Sequence, residues 1–476
     1  MEIVKKKKID FTEGKIFFKL LRFILPIIVT NLLQTFYNAA DMIIVSLSHE
    51  ENAVGAIGIT GSFINLIVNI FIGFSVGANV VVAQRIGAKD KERTQNAVHT
   101  AILMAVIFGL LGMVLGIAVS RPVLRGMGNQ GNVLELAVKY TYIYFLGVPF
   151  LALTNYLIAI FRAKGDSQTP LIVLSLAGIL NVGLNVFFVL VVGLSVEGVA
   201  IATSVANLTS FVVLIIKLRR DKDYTTFSFR RLRLEREAFR NIVLNGVPAG
   251  VQGALFSLSN LLIQSSIVKV NNALVPPGTE YAPVLNGSAA AGNIEGFIYM
   301  AMNAVYQGAI TITSQNIGAK KVHRVKRILY SCLLTVFAVG MITSGLAYVL
   351  RRPLLALYGV NGGAEGSLEA IAMEAAMVRF RLIVLVYFLC GFMDVCSGVL
   401  RGMGKAIEST IISLVGACLF RVIWLWTVFK ASPTLEVIFV SYPISWVITT
   451  ATAFIVIKVL LKRMVKVEEK YENTAF

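Results

Sequence analysis

Charge is scarce in this chain, and the scarcity sets its class. Only 15% of the 476 residues are charged, against about a quarter in a soluble domain. With 57% hydrophobic residues, a soluble globular chain is excluded and a membrane protein is indicated. Cysteine and histidine are rarer still, at four and three. No Cys-x-x-Cys pair occurs, and Cys332, Cys390, Cys396 and Cys418 each sit in an apolar run. Packed free thiols are therefore expected, with neither a disulfide frame nor a zinc site. No phosphate-cradling Gly-x-x-x-x-Gly-Lys loop is present, which removes ATP as the direct energy source. A His-Glu-x-x-His pair is also missing. His49, His99 and His323 are scattered through loops and helix ends, so a polytopic enzyme such as an acyl transferase would lack the paired groups it needs.

What the chain does have is a series of long apolar runs. A helix needs about 20 such residues to cross the hydrocarbon core. Twelve runs qualify, near 16–46, 53–83, 95–120, 135–161, 168–192, 197–216, 239–269, 286–315, 323–350, 367–400, 406–429 and 436–461. The expected fold is an all-α polytopic membrane protein. The run from Lys5 to Lys8 ahead of the first span resembles a signal peptide in outline, but that span is too long for a cleaved segment and is read as retained. With the N-terminus inside, 34 of the 44 Lys and Arg residues fall on that side. Six lie opposite: Arg121, Arg125, Lys269, Arg351, Arg352 and Lys430. This asymmetry places both termini in the cytoplasm and the chain in a cell inner membrane or plasma membrane. The net charge of +18 is thus topological, and no nucleic-acid partner is expected.

The longest internal hydrophilic tract, 217–240, holds nine basic residues against four acidic ones. It divides the chain into an N-terminal lobe of six helices (1–216), a basic cytoplasmic linker (217–238) and a C-terminal lobe of six helices with a short tail (239–476). The halves repeat. Gln84-Arg-Ile-Gly-Ala-Lys89 recurs as Gln315-Asn-Ile-Gly-Ala-Lys320, and Arg121-Pro122 recurs as Arg352-Pro353 at the same offset of 231. Arg162-Ala-Lys-Gly165 matches Arg401-Gly-Met-Gly404, and Pro26 has a counterpart in Pro248. Two six-span copies run in the same sense through the membrane, as in carriers with an axis along the membrane normal.

Inside the first span lie Pro26, Gln34, Tyr37, Asn38 and Asp41, the last four at the spacing of one helix face. A carboxylate at membrane depth faces a wet cavity or a partner and marks an ion or substrate path. Helical rise puts Asp41 roughly 10 Å deep, with Asn181, Asn185 and Thr203 in the same outer half, so these four are expected to meet. The alternative is a hydrogen-bonded anchor that only locks helix packing. Pro26 lacks a donor and should bend the helix, as a switch element or a static kink. In the second half, Glu295 and Arg421 both sit roughly 13 Å deep by the same rise and are expected to pair, since a lone arginine in lipid is prohibitive. Asp394 lies nearer the cytoplasm, at the repeat position of Asn155. Tyr299, one turn after Glu295, is a candidate wall for a cationic substrate.

In order, Pro26, Gln34-x-x-Tyr37-Asn38-x-x-Asp41, the paired Gln-x-Ile-Gly-Ala-Lys turns and Leu400-Arg401-Gly402-Met-Gly404 resemble the multidrug and toxic compound extrusion (MATE) family. The likeness is to its prokaryotic branch, with an acid in the first helix, and it covers essentially the whole chain. It implies twelve transmembrane helices in two pseudo-symmetric lobes of a single chain, acting as a secondary antiporter without a cofactor. Such a protein exports amphiphilic, often cationic compounds in exchange for protons or sodium. The branch's coupling acid matches Asp41, beside Asn38, and its polar network maps onto Asn155, Asn181, Asn185 and Thr203. Gln34, Tyr37, Asn155, Glu295 and Tyr299 become substrate-side candidates; Pro26, Asp394 and Arg421 become structural or gating ones. Two departures stand out. The family often has an aspartate where Asn185 stands, and the helix-seven glutamate that binds sodium in some members has no match between Gly246 and Asn260. The superfamily also holds lipid-linked oligosaccharide flippases. Such a flippase would need basic side chains lining its cavity, yet the inward half of the first span offers only Lys19 and Arg22, near its cytoplasmic end.

Overall fold

In hydrocarbon a backbone must satisfy its own hydrogen bonds, so apolar runs of this length fold as helices. The computed structural model describes residues 9–474 except 49, 51, 128–130, 277, 278 and 280, without the side chains of Ser62 and residues 467–474. The Lys5 to Lys8 run and His49 lie outside the described residues. Among the described residues twelve long helices follow one another. They are α1 Ile16–Ser46, α2 Ala53–Gly87, α3 Lys91–Gly126, α4 Gly131–Ala163, α5 Gln168–Val191 and α6 Val196–Arg220, then α7 Arg236–Leu274, α8 Pro283–Gly318, α9 Val322–Val349, α10 Leu368–Gly402, α11 Ala406–Ala431 and α12 Leu435–Thr474. α5 ends in a π-helical turn, Phe187–Val191, and α11 contains another, Leu414–Leu419. α10 is bent by 46° between Leu368–Val386 and Phe388–Gly402, at a break with neither proline nor glycine. Among the described residues ten helices are long and apolar enough to cross a membrane, or eleven with the bent α10 taken as one span. α8 has the length, but Asn286, Asn293, Glu295, Asn303 and Gln307 make it more polar. The four cysteines are buried and unbonded.

The chain packs as two units. One contains the segment up to Lys15, Arg22–Ala254 and Ser314–Lys321; the other contains Ile16–Leu21, Leu255–Thr313 and Val322–Phe476. The first part of α7 and the Gln315 turn thus group with the N-terminal helices. In the first unit, Met104 of α3, Tyr156 and Phe161 of α4 and Leu214 and Leu218 of α6 form one core. Leu124, Tyr140, Val196 and Ala200 form a second. The backbones of α2 and α7 approach through glycine: a β-carbon on Gly73 would stand 2.2 Å from the Gly250 nitrogen, and one on Gly77 would stand 2.3 Å from the Ile242 carbonyl oxygen.

The repeat is visible in the backbone. Lys89 and Lys320 are the only non-glycine residues with positive φ among the described residues, at 57° and 56°, a conformation that is uncommon for lysine. Gly165 and Gly404 match at 78° and 77°. The two glutamine turns also pack reciprocally. A β-carbon on Gly87 would stand 2.0 Å from the Gln315 carbonyl oxygen, and one on Gly318 would stand 1.8 Å from that of Gln84. An N-terminal strap covers this crossing. The Phe11 side chain is buried against Phe23 with ring centres 5.2 Å apart. Phe11 N donates to Gln315 Oε1 at 3.4 Å, while Asn316 and Lys321 donate to the carbonyls of Phe11 and Thr12.

Candidate functional site

Asp41 stands on the face of α1 that packs against α5. One turn earlier Tyr37 donates its hydroxyl to the Ser175 carbonyl at 3.2 Å, which ties α1 to α5. Gly178 makes that approach possible, since a β-carbon there would lie 1.8 Å from the Tyr37 ring. The amides follow one and two turns further along α5. Asn185, fully buried, donates Nδ2 to Asp41 Oδ1 at 2.5 Å. The hydrogen-bond network sets the Asn181 amide with its nitrogen toward the same carboxylate oxygen at 2.8 Å and its oxygen accepting from Thr203 N at 3.3 Å. Asp41, Asn181, Asn185 and Thr203 therefore meet, as their depths suggested. Among the described residues no lysine or arginine pairs with Asp41. Asn185 Oδ1 is buried without a partner, which leaves a spare acceptor in the cluster.

Sequence reasoning overlooked two members of this neighbourhood. Tyr140 and Tyr144 of α4 lie within electrostatic reach of Asp41, with their rings 6.1 Å apart. Their i, i+4 spacing on an apolar helix was the available signal. Three expected members stand elsewhere. Gln34 and Asn38 are exposed; Asn38 falls about 100° round α1 from Tyr37, while Gln34, two turns before Asp41, lies within about 20° of its direction. Asn155 donates to the Leu151 carbonyl of its own helix at 3.0 Å. Pro26 lies inside an unbroken α1, and the Thr30 hydroxyl donates to its carbonyl at 2.7 Å.

The second unit corrects the expected pairing of Glu295 with Arg421. Glu295 accepts from Nε of Arg379 at 2.9 Å, and Arg379 also donates to the carbonyl and hydroxyl of Ser288 at 3.2 Å. Gly292 leaves room for that guanidinium, which a β-carbon would approach to 3.1 Å. Arg421 instead lies 4.0 Å over the Tyr442 ring and donates to Ser445 Oγ at 3.0 Å. A desolvated cation over an aromatic face is stabilised by about 2 kcal/mol, which offsets part of the cost of burying Arg421 without a carboxylate. Arg379 was legible as a third arginine at membrane depth; which arginine meets Glu295 was not. Tyr299 accepts from Asn303 at 3.4 Å and stands near Asp394. Arg401, which donates to the Tyr306 hydroxyl, also lies near Asp394. Among the described residues no group of three or more His, Cys, Asp or Glu could hold a metal ion.

Comparison with known proteins places this geometry in context. A family model described as MatE matches residues 26–187 and 282–427. The chain is 26% identical over 407 residues to the probable multidrug resistance protein YoeA of Bacillus subtilis (strain 168), with 82% of each chain covered. It is 21% identical over 422 residues to the multidrug export protein MepA of Staphylococcus aureus (strain NCTC 8325 / PS 47), covering 87% of this chain and 88% of that one. A structure described as the outward-facing conformation of a multidrug resistance MATE family transporter of the MOP superfamily superposes with a TM-score of 0.87. It covers 97% of this chain and 99% of the other at 19% identity.

Proposed function

We propose, from the premise that this chain belongs to the MatE family, that it is a multidrug exporter working as a secondary antiporter. The family is one of multi-pass membrane transporters rather than enzymes. In this reading the chain acts as a monomer with both termini in the cytoplasm. It expels amphiphilic, often cationic small molecules by alternating access, in exchange for protons or sodium, with Asp41 as the coupling group.

One observation carries the reading: a carboxylate inside a membrane span held by two amides and, among the described residues, by no fixed base. An arginine partner would neutralise the acid permanently. Amide donors stabilise its charge without cancelling it, so a cation arriving from solution still finds an unpaired negative charge. The unpartnered Asn185 Oδ1 adds a second oxygen beside it, and the exposed Gln34 and Asn38 give α1 a polar face for substrate.

The test is efflux of a fluorescent lipophilic cation from proteoliposomes with pH and sodium gradients imposed separately. Asp41→Asn keeps the shape and the amide network but removes the charge; gradient-driven efflux is expected to fall to background. Undiminished efflux by this variant would reject Asp41 as the coupling group. Movement of a lipid-linked headgroup without any gradient would transfer the chain to the flippases.

A further inference from the structure

Between the first turn of α3 and the last turn of α6 lies a cavity of about 580 Å³, lined by Lys91, Arg219, Arg220 and Lys222 together with Asp221 and Asp223. The two acids are already engaged. Lys164, with 3% of its side chain exposed, is ion-paired to Asp221 and stands 3.8 Å from Asp223. The four cations are exposed, and among the described residues none of them is ion-paired. The cavity therefore presents uncompensated positive charge, in a volume within the roughly 300 to 1,000 Å³ of small-ligand sites.

Its position identifies the ligand. One to two turns back along α6, Val212, Val213 and Ile216 are exposed, so the apolar surface that faces lipid ends at the cavity mouth. Tyr224 and Phe229 are exposed on the linker, and the Arg219 guanidinium lies 5.0 Å over the Phe229 ring. Aromatic side chains of this kind belong at headgroup depth. A ligand with a phosphate at this depth and acyl chains along Val212, Val213 and Ile216 satisfies both surfaces. A zwitterionic headgroup would bring its own cation against the four already there.

We propose that this cavity binds the phosphate headgroup of an anionic phospholipid and so fastens the linker to the leaflet. The cytoplasmic leaflet follows from the orientation proposed above; the binding itself does not depend on it.

The experiment is native mass spectrometry of the full-length protein in mild detergent, titrated with palmitoyl-oleoyl phosphatidylglycerol or with the phosphatidylcholine of the same chains. The wild type is expected to retain phosphatidylglycerol preferentially. Each cation near an anionic surface contributes about fivefold in affinity, so R219Q/R220Q is expected to weaken phosphatidylglycerol binding about thirtyfold. Lys222→Gln, a single change on an exposed loop that leaves the fold intact, is expected to weaken it about fivefold. K462Q/R463Q, a basic pair on α12 outside the cavity, should leave it unchanged. Equal retention of both lipids by the wild type overturns the proposal, and so does wild-type binding by the cavity variants. Displacement of the lipid by equimolar glycerol phosphate would assign the cavity to a free phosphate compound and overturn the lipid reading. Because the readout needs neither transport nor sidedness, its failure is separate from failure of the antiport reading.

Discussion

Gly178 sits one and two turns before the amides that hold Asp41, and its missing side chain sets the distance between α1 and α5. In an ordinary helix interior, replacing glycine by alanine is favourable by about 1 kcal/mol. Here the added carbon would lie 1.8 Å from the Tyr37 ring, so packing opposes propensity and should win. Gly178→Ala is expected to destabilise the protein by about 1 to 3 kcal/mol, seen as a lower midpoint in detergent thermal unfolding, and to reduce gradient-driven efflux. Gly183, on the same helix, has nothing within 4 Å of its would-be β-carbon. Gly183→Ala should be neutral or stabilising in the same assay, and a loss equal to that of Gly178→Ala would show that the contact with Tyr37 is not what matters. The polar spacing of α1 announced a site, but not which of its side chains join it. Tyr37 and Asp41, four apart, pack on α5, whereas Gln34, two turns before Asp41 and nearly in line with it, and Asn38 are left exposed.

Among elements, the N-terminal strap depends on one amide. Gln315, 2% exposed, donates Nε2 to the Ala163 carbonyl at 2.7 Å and accepts from Phe11 N. It thereby joins the strap, the end of α4 and the end of α8. Gln315→Leu keeps most of the volume and leaves both backbone groups buried without a partner, at about 1 to 3 kcal/mol each. Amide hydrogen exchange across residues 9–14 is expected to accelerate in this variant, with exchange in α4 away from Ala163 unaltered. Unchanged protection of 9–14 would mean that Phe11 packing and the Asn316 and Lys321 hydrogen bonds hold the strap without Gln315. The motif was legible as a repeated turn; its grip on the N-terminus was not, because nothing local to 315 marks a residue some 300 positions away.

For the whole molecule, the sidedness read from lysine and arginine can be measured. The four native cysteines are buried, so they should not compete with a single exposed cysteine for a labelling reagent. In intact cells, Lys430→Cys is expected to react with a membrane-impermeant maleimide and Lys222→Cys only after permeabilisation. Labelling in the reverse order would invert the orientation proposed for both termini. The pseudo-symmetry also has a physical consequence. Gly87 on Gln315 and Gly318 on Gln84 form a reciprocal contact, as self-complementary patches do about a two-fold axis, so the duplicated motif is at once two turns and the contact that joins them.

By itself the sequence determined the properties that add up along the chain: twelve helical runs, a bias of basic residues to one side, a duplicated half, and the depth of each polar residue. These follow from hydropathy and a constant rise per residue, both readable in one dimension. Only the tertiary structure decided what depends on rotation about the helix axes. That Glu295 meets Arg379, that Arg421 turns to Tyr442 and Ser445, and that Asn38 is left exposed are questions of azimuth. Azimuth is set by how neighbouring helices pack, which no single helix encodes.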